Sequence, residues 1–388
     1  MEGTEKVGLA VLAALVTVVA LVEVGMTVPV LLHARSASPS SAEAAGPYPS
    51  FLVLGDWGRD GDFNQSRVAA MMALKAEELQ PNFVISTGDN FYEAGLVSPE
   101  DPQFESSFSQ IYHHASLQVP WHAVLGNHDY GEVQDATPKK PRKQSCGGGD
   151  KSECYYSPLH QASRQGNALL DVRLRQRDSR WHCERSFSLS LAGGRVDIFF
   201  IDTTPMNDLY LSKPWADNKG GILEQSWQDQ VQEFESRLAR STAEWKIVVG
   251  HHPVRSNHAE SEDKWRDMED RVQPLLTKYG VQLYLCGHDH TLQYIYNPSQ
   301  PTHYVVSGAG SQTYNVFYRD DDSPFQYGFN GFVAVDVEVD SMRVEFLGID
   351  SAAPLFVVDI PRNASVAAAN QGGSHGSRGR KLLQSVCL

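Results

Sequence analysis

Residues 83–92 read FVISTGDNFY. The stretch begins as an apolar run of strand length and breaks at a Gly. It then presents a carboxylate, an amide and a phenol within residues 89–92. The glycine lets the backbone turn sharply, with no side chain to block what the polar groups hold. In an α/β sheet, the carboxyl ends of the strands line the ligand crevice.

The same layout recurs on both sides. Upstream stands FLVLGDWG at 51–58; downstream stand WHAVLGNHD at 121–129, KIVVGHHP at 246–253 and VQLYLCGHDH at 281–290. Each time a glycine follows the apolar run and a metal-capable residue follows the glycine. Five strand ends can therefore meet in one place. Two more apolar runs, 196–201 and 303–306, also fit buried strands, and stretches of helical spacing intervene at 64–78, 224–240 and 264–278. This alternation predicts α/β architecture with largely parallel pairing. Residues 331–339 and 341–349 alternate across an Asp340-Ser341 turn, which predicts an antiparallel pair and so a mixed sheet system.

The donors at these strand ends are carboxylates, an amide, a phenol and imidazoles. Such hard or borderline ligands suit iron, zinc or manganese rather than Cu(I). They outnumber what one tetrahedral zinc uses. One carboxylate can bridge two ions, and paired ions can hold a phosphate and lower the pKa of a bound water. Each motif alone has a plainer reading: Gly-Asp is a common turn, and a lone His is often satisfied by ordinary hydrogen bonds. GNHD and GHDH are more specific, and the joint appearance of all five, each after a strand, decides for metals.

The set GDWG, GDNFY, GNHD, GHHP and GHDH resembles the purple acid phosphatases of the calcineurin-like metallophosphoesterases, and is most similar to the small tartrate-resistant type. The resemblance runs over roughly residues 50–361, with support from DSRWHCERSF at 178–187, FFIDTTP at 199–205 and VVSGAG at 305–310. It implies an α/β (α+β sandwich) fold of two mixed β-sheets packed together and flanked by helices, with the metal site at the strand C-terminal ends. It implies that Asp56, Tyr92 and His290 bind a ferric ion, that Asn127, His251 and His288 bind a divalent iron, zinc or manganese, and that Asp89 bridges the two. His128 resembles the residue that contacts the substrate phosphate, and His258 the one that protonates the leaving alcohol. His252 reads as pocket lining, and the pair His113 and His114 as surface. The implied activity is acid hydrolysis of phosphate monoesters by a metal-bound hydroxide at an Fe(III)–M(II) centre. Two alternatives stand beside it: a phosphodiesterase on the same scaffold, and a non-catalytic or redox metal-binding extracellular protein.

The whole chain fits this reading. It has 388 residues, 41% hydrophobic and 21% charged, with a formal net charge of −14. An acidic chain without a Lys/Arg-rich run does not attract nucleic acid, whereas small phosphomonoesters remain open if bound cations supply positive charge. Residues 7–32 are apolar, broken only by Glu23, and read as a signal peptide or a membrane anchor. A Ser/Ala-rich linker then leads to residue 46, a catalytic domain is expected over 47–361, and a flexible Gly/Ser/Arg-rich tail over 362–388. The expected location is extracytoplasmic: secreted, vacuolar or lysosomal, or membrane-anchored. Asn64 and Asn363 begin glycosylation sequons. Of five cysteines, Cys146 and Cys154 flank a Gly-rich loop that could close a small disulfide, and Cys286 reads as a buried hydrophobe.

Overall fold

The computed structural model describes residues 46–132, 157–162, 173–257, 266–316 and 321–362. The apolar segment 7–32, the linker, the tail, Cys146, Cys154, Cys387, Asn363 and His258 lie outside the described residues.

The first sheet starts with four parallel strands: β1 (Ser50–Leu54), β2 (Phe83–Ser86), β3 (Trp121–Ala123) and β4 (Trp181–Cys183). The chain then builds a second sheet. There β5 (Ser186–Leu191) lies antiparallel to β6 (Val196–Ile201), and β7 (Trp245–Val249) and β8 (Leu283–Cys286) follow in parallel. After β9 (Leu292–Ile295) comes β10 (His303–Ser307), parallel to β8; β9 pairs antiparallel with β10, and β11 (Phe325–Tyr327) with β9. The last three strands return to the first sheet: β12 (Gly331–Val337) lies antiparallel to β1, then come β13 (Ser341–Gly348) and β14 (Phe356–Pro361). The result is two mixed sheets of seven strands each.

The alternation of side chains along each strand explains the layers. Phe51 and Val53 point between the sheets, where they join Ile247, Val249, Leu283 and Leu285. Leu52 and Leu54 point the other way, against Val68, Met72 and Ala76 of α1 (Gln65–Leu79) and Leu174 of α2 (Arg173–Arg177). On the far side, Val248, Tyr284 and Cys286 meet Phe234 and Leu238 of α3 (Trp227–Arg240), Met268 of α4 (Arg266–Arg271) and Leu276 of α5 (Gln273–Lys278). Strands buried on both faces are apolar throughout, which is why they stand out in the sequence.

Some elements differ from expectation. The helical stretch 264–278 is interrupted: from residue 266 on it forms α4 and α5, with Pro274 in the first turn of the second. Proline has no N–H to continue the ladder. The helix expected from 224 begins at Trp227, because the Ser226 hydroxyl caps it by accepting from the Asp229 N–H at 3.1 Å. No helix among the described residues is long and apolar enough to cross a membrane.

Candidate metal centre

The loops after β1, β2, β3, β7 and β8 come together. The Asp56 N–H donates to the Gly88 carbonyl at 3.0 Å, and the Gly287 N–H to the His251 carbonyl at 3.0 Å. Asp56, Asp89 and His288 hold left-handed backbone, with φ of 60°, 50° and 68°. That region is costly for residues with a Cβ and tends to persist at functional sites. Two glycines are needed for closeness rather than conformation. A Cβ on Gly126 would collide with the Asp89 carboxylate, and one on Gly287 with that of Asp56.

Two groups of donor atoms result. In the first, the Tyr92 hydroxyl lies 3.1 Å from Asp56 Oδ1, 3.1 Å from Asp89 Oδ2 and 3.0 Å from His290 Nε2. In the second, Asn127 Oδ1 lies 3.0 Å from His251 Nε2 and 2.9 Å from His288 Nδ1, and the two ring nitrogens are 3.2 Å apart. Asp89 joins the groups, because its Oδ2 is also 3.3 Å from His251 Nε2. All seven residues read from the sequence therefore meet. His128 lies beside them, its ring centroid 4.5 Å from that of Tyr92 and its Nε2 3.9 Å from Asp89 Oδ2.

Neighbouring groups aim these donors. His251 Nδ1 lies 2.9 Å from the Thr87 carbonyl; donation to that oxygen leaves the Nε2 lone pair facing the site. The Asn127 amide nitrogen donates to Glu132 Oε2 at 2.7 Å, which turns its Oδ1 toward His251 and His288. The Thr203 hydroxyl accepts from the backbone N–H groups of His251 and His252 at 3.2 and 3.0 Å. Asp129 accepts from the Asn90 and Gly126 N–H groups and so ties the second loop to the third. Burial first, then the Asp89 charge, push the Asp129 carboxyl up to about 7.

His252 shows why proximity does not define a ligand. With His251 and His288 it forms a trio whose ligand atoms lie within 4.8 Å of one another. Yet its Nδ1 lies 2.8 Å from the Thr203 hydroxyl and its Nε2 2.9 Å from the Tyr210 hydroxyl. Both nitrogens are engaged by protein, so His252 stays a wall residue. His113 and His114 are exposed, as expected.

Charge supplies the test for metal. Asp56 and Asp89 are 0% and 1% exposed. Among the described residues their ion-pair partners are histidines, with no Lys or Arg. Buried carboxylates need pairing or a cation. Burial raises the Asp89 carboxyl, but His251 and His128 override it and hold it well below the usual range. Burial lowers His251, while Asp89 lifts it to about 9. Burial, then Asp56 and Asp89, push the Tyr92 phenol well above its ordinary value. Cations among these groups reverse that order: they neutralise the carboxylates, favour neutral imidazole and favour phenolate. His290 adds a buried Nδ1 with no hydrogen-bond partner among the described residues, its ring stacked on Tyr314 at 4.3 Å. The donor set fits two cations that share Asp89.

Two mixed sheets with such a centre at the strand ends define a binuclear metallophosphoesterase. The calcineurin-like phosphoesterase family model matches residues 49–292. Purple acid phosphatase 4 of Arabidopsis thaliana is 39% identical over 308 residues, 77% of this chain and 80% of that protein. Human tartrate-resistant acid phosphatase type 5 is 28% identical over 354 residues, 84% of this chain and 95% of that protein. Among solved structures, GAP50, the anchor in the inner membrane complex of Plasmodium, shares the fold with a TM-score of 0.60, at 18% identity over 82% of this chain and 90% of that one. The chain belongs to the purple acid phosphatases, metal-dependent hydrolases within the calcineurin-like phosphoesterases.

Proposed function

We propose that this chain is an acid phosphatase that hydrolyses small phosphate monoesters at a binuclear Fe(III)–M(II) centre. Asp56, Tyr92 and His290 hold the ferric ion, Asn127, His251 and His288 hold a divalent iron, zinc or manganese, and Asp89 is shared. One observation carries the assignment: Asp89 Oδ2 is 3.1 Å from the Tyr92 hydroxyl and 3.3 Å from His251 Nε2, one from each group. Phenolate is an anionic hard ligand and favours the trivalent state on the Tyr92 side. Residues 47–361 form the catalytic domain. The segment 7–32 directs the chain to an extracytoplasmic compartment as a signal or an anchor.

When bound, the cations polarise the phosphoryl oxygens and lower the pKa of water. The protein does the rest. Asp89 and the imidazoles set the spacing of the two sites. The Glu93 carbonyl, 2.6 Å from His128 Nδ1, holds the first ring proton there. That leaves Nε2, 3.9 Å from Asp89 Oδ2, on the side of the centre, where it can meet a phosphoryl oxygen. His258 gives a proton to the departing alkoxide, the role the family resemblance implies for it. His252, its ring centroid 4.6 Å from that of His288, is buried with Tyr210 beside the centre.

Hydrolysis of p-nitrophenyl phosphate compared with its bis ester tests the substrate class. The monoester is expected to have the higher kcat/KM, and the opposite order would make the chain a diesterase. His128→Ala is expected to lose activity with both ions retained. Loss of the ions instead would show that its role is structural.

A further inference from the structure

Arg59 has no part in the chemistry above, yet it sits against it. It follows GDWG, three residues after Asp56, and is 8% exposed. Its Cζ lies 3.6 Å from the centroid of the Tyr92 ring and 5.3 Å from that of Phe63. Its Nε and Nη2 are buried and lack any hydrogen-bond partner among the described residues. A guanidinium removed from water normally gains a carboxylate or several carbonyls. Here the charge rests chiefly on an aromatic face, the arrangement of a desolvated cation–π pair.

The backbone fixes this geometry. The Tyr92 N–H donates to the Gly58 carbonyl at 2.8 Å, and the Arg59 N–H donates to Gln65 Oε1 at 3.1 Å. Gly58 is a glycine for a reason of space: a Cβ there would collide with the Asn90 carbonyl. The loop that contributes Asp56 therefore also lays a fixed positive charge on a side chain from the next loop.

We propose that Arg59 sets the electron-donor strength of Tyr92 toward the ion it holds. The inference rests on the Tyr92–Fe(III) assignment. A positive charge over the ring stabilises negative charge on the phenolate and lowers its donor orbital. Ligand-to-metal charge transfer then needs more energy, and one-electron reduction of the ferric ion becomes easier. Arg59 acts through Tyr92 and is a positioning residue, with no contact to substrate required.

The test compares the purified native protein with Arg59→Met, Arg59→Gln and Arg59→Lys, with metal content, visible absorption and reduction potential measured on each. The neutral variants are expected to retain iron, to absorb at longer wavelength and to have a lower reduction potential, with Arg59→Lys in between. Arg59→Gln keeps a planar group over the ring without the charge, so it gives the same readout if Arg59→Met does not fold. An iron-loaded neutral variant with an unmoved band and potential overturns the proposal, even if its stability falls. A native protein without iron and without a visible band overturns the Tyr92–Fe(III) assignment, and this inference with it.

Discussion

The Glu132 carboxylate is a sharp point at which to perturb the centre, because the Asn127 side chain it holds belongs to one of the two donor groups only. It touches Asn127, accepting from the amide nitrogen at 2.7 Å. In Glu132→Ala the amide loses this partner and is free to rotate, so Oδ1 no longer faces His251 and His288 by default. A hydrogen bond to a charged group is worth about 1.5–3 kcal/mol. At about 1.4 kcal/mol per factor of ten, that is on the order of 10–100-fold in affinity for the divalent ion. Loss of a partner that orients a metal ligand elsewhere costs about the same. Glu132 is partly exposed, so water takes up some of the loss and the lower end, roughly tenfold, is expected. Glu132→Gln keeps an acceptor and should cost less, about 0.5–1.5 kcal/mol. The assay is stepwise chelation followed by zinc titration, with bound metal and activity both read. Wild-type affinity in Glu132→Ala would refute the reasoning. Equal loss of both ions would also refute it, since Asn127 belongs to one group only.

Three other outcomes follow from the structure. Gly126→Ala places a Cβ against the Asp89 carboxylate, and is expected to abolish metal uptake and activity while circular dichroism stays native; an active variant would show that the loops can separate. Trp57 is fully buried against Phe91, Tyr112, Trp121 and Trp181, and its Nε1 donates to Ser86 Oγ at 2.8 Å. Trp57→Ala should lose about 3–5 kcal/mol in urea unfolding, and a loss under 1 kcal/mol would contradict the packing. Burial lowers the His303 imidazole to about 4, below its unfolded value of about 6.5. The stability this gives is present above pH 6.5 and is lost as pH falls toward 4, by at most roughly 3 kcal/mol. His303→Phe should flatten that part of the pH–stability curve, and an unchanged slope would refute the buried neutral ring.

The strands and the site were legible for the same reason. Strands covered on both faces are apolar without interruption, so 51–54, 247–249 and 283–286 stand out, and the polar residues that follow each glycine stand out against them. The seven residues named from the motifs lie in two groups of donor atoms with Asp89 between them. What stayed hidden depends on contacts between distant segments. Nothing local marks Glu132 as the partner of Asn127, or Thr203 as the anchor of the GHHP loop. Nothing local marks Arg59, beside GDWG, as the cation that lies over the Tyr92 ring. The edge strand β11 and its neighbour β9 are short, with little pattern of their own, and are defined by their pairing with each other and, for β9, with β10.

Elemental analysis of the purified native chain tests most directly the proposed pair of metal ions, one of them iron on Tyr92. The expected result is two metal ions per chain, at least one of them iron. A single ion per chain, or a pair without iron in active protein, would contradict it.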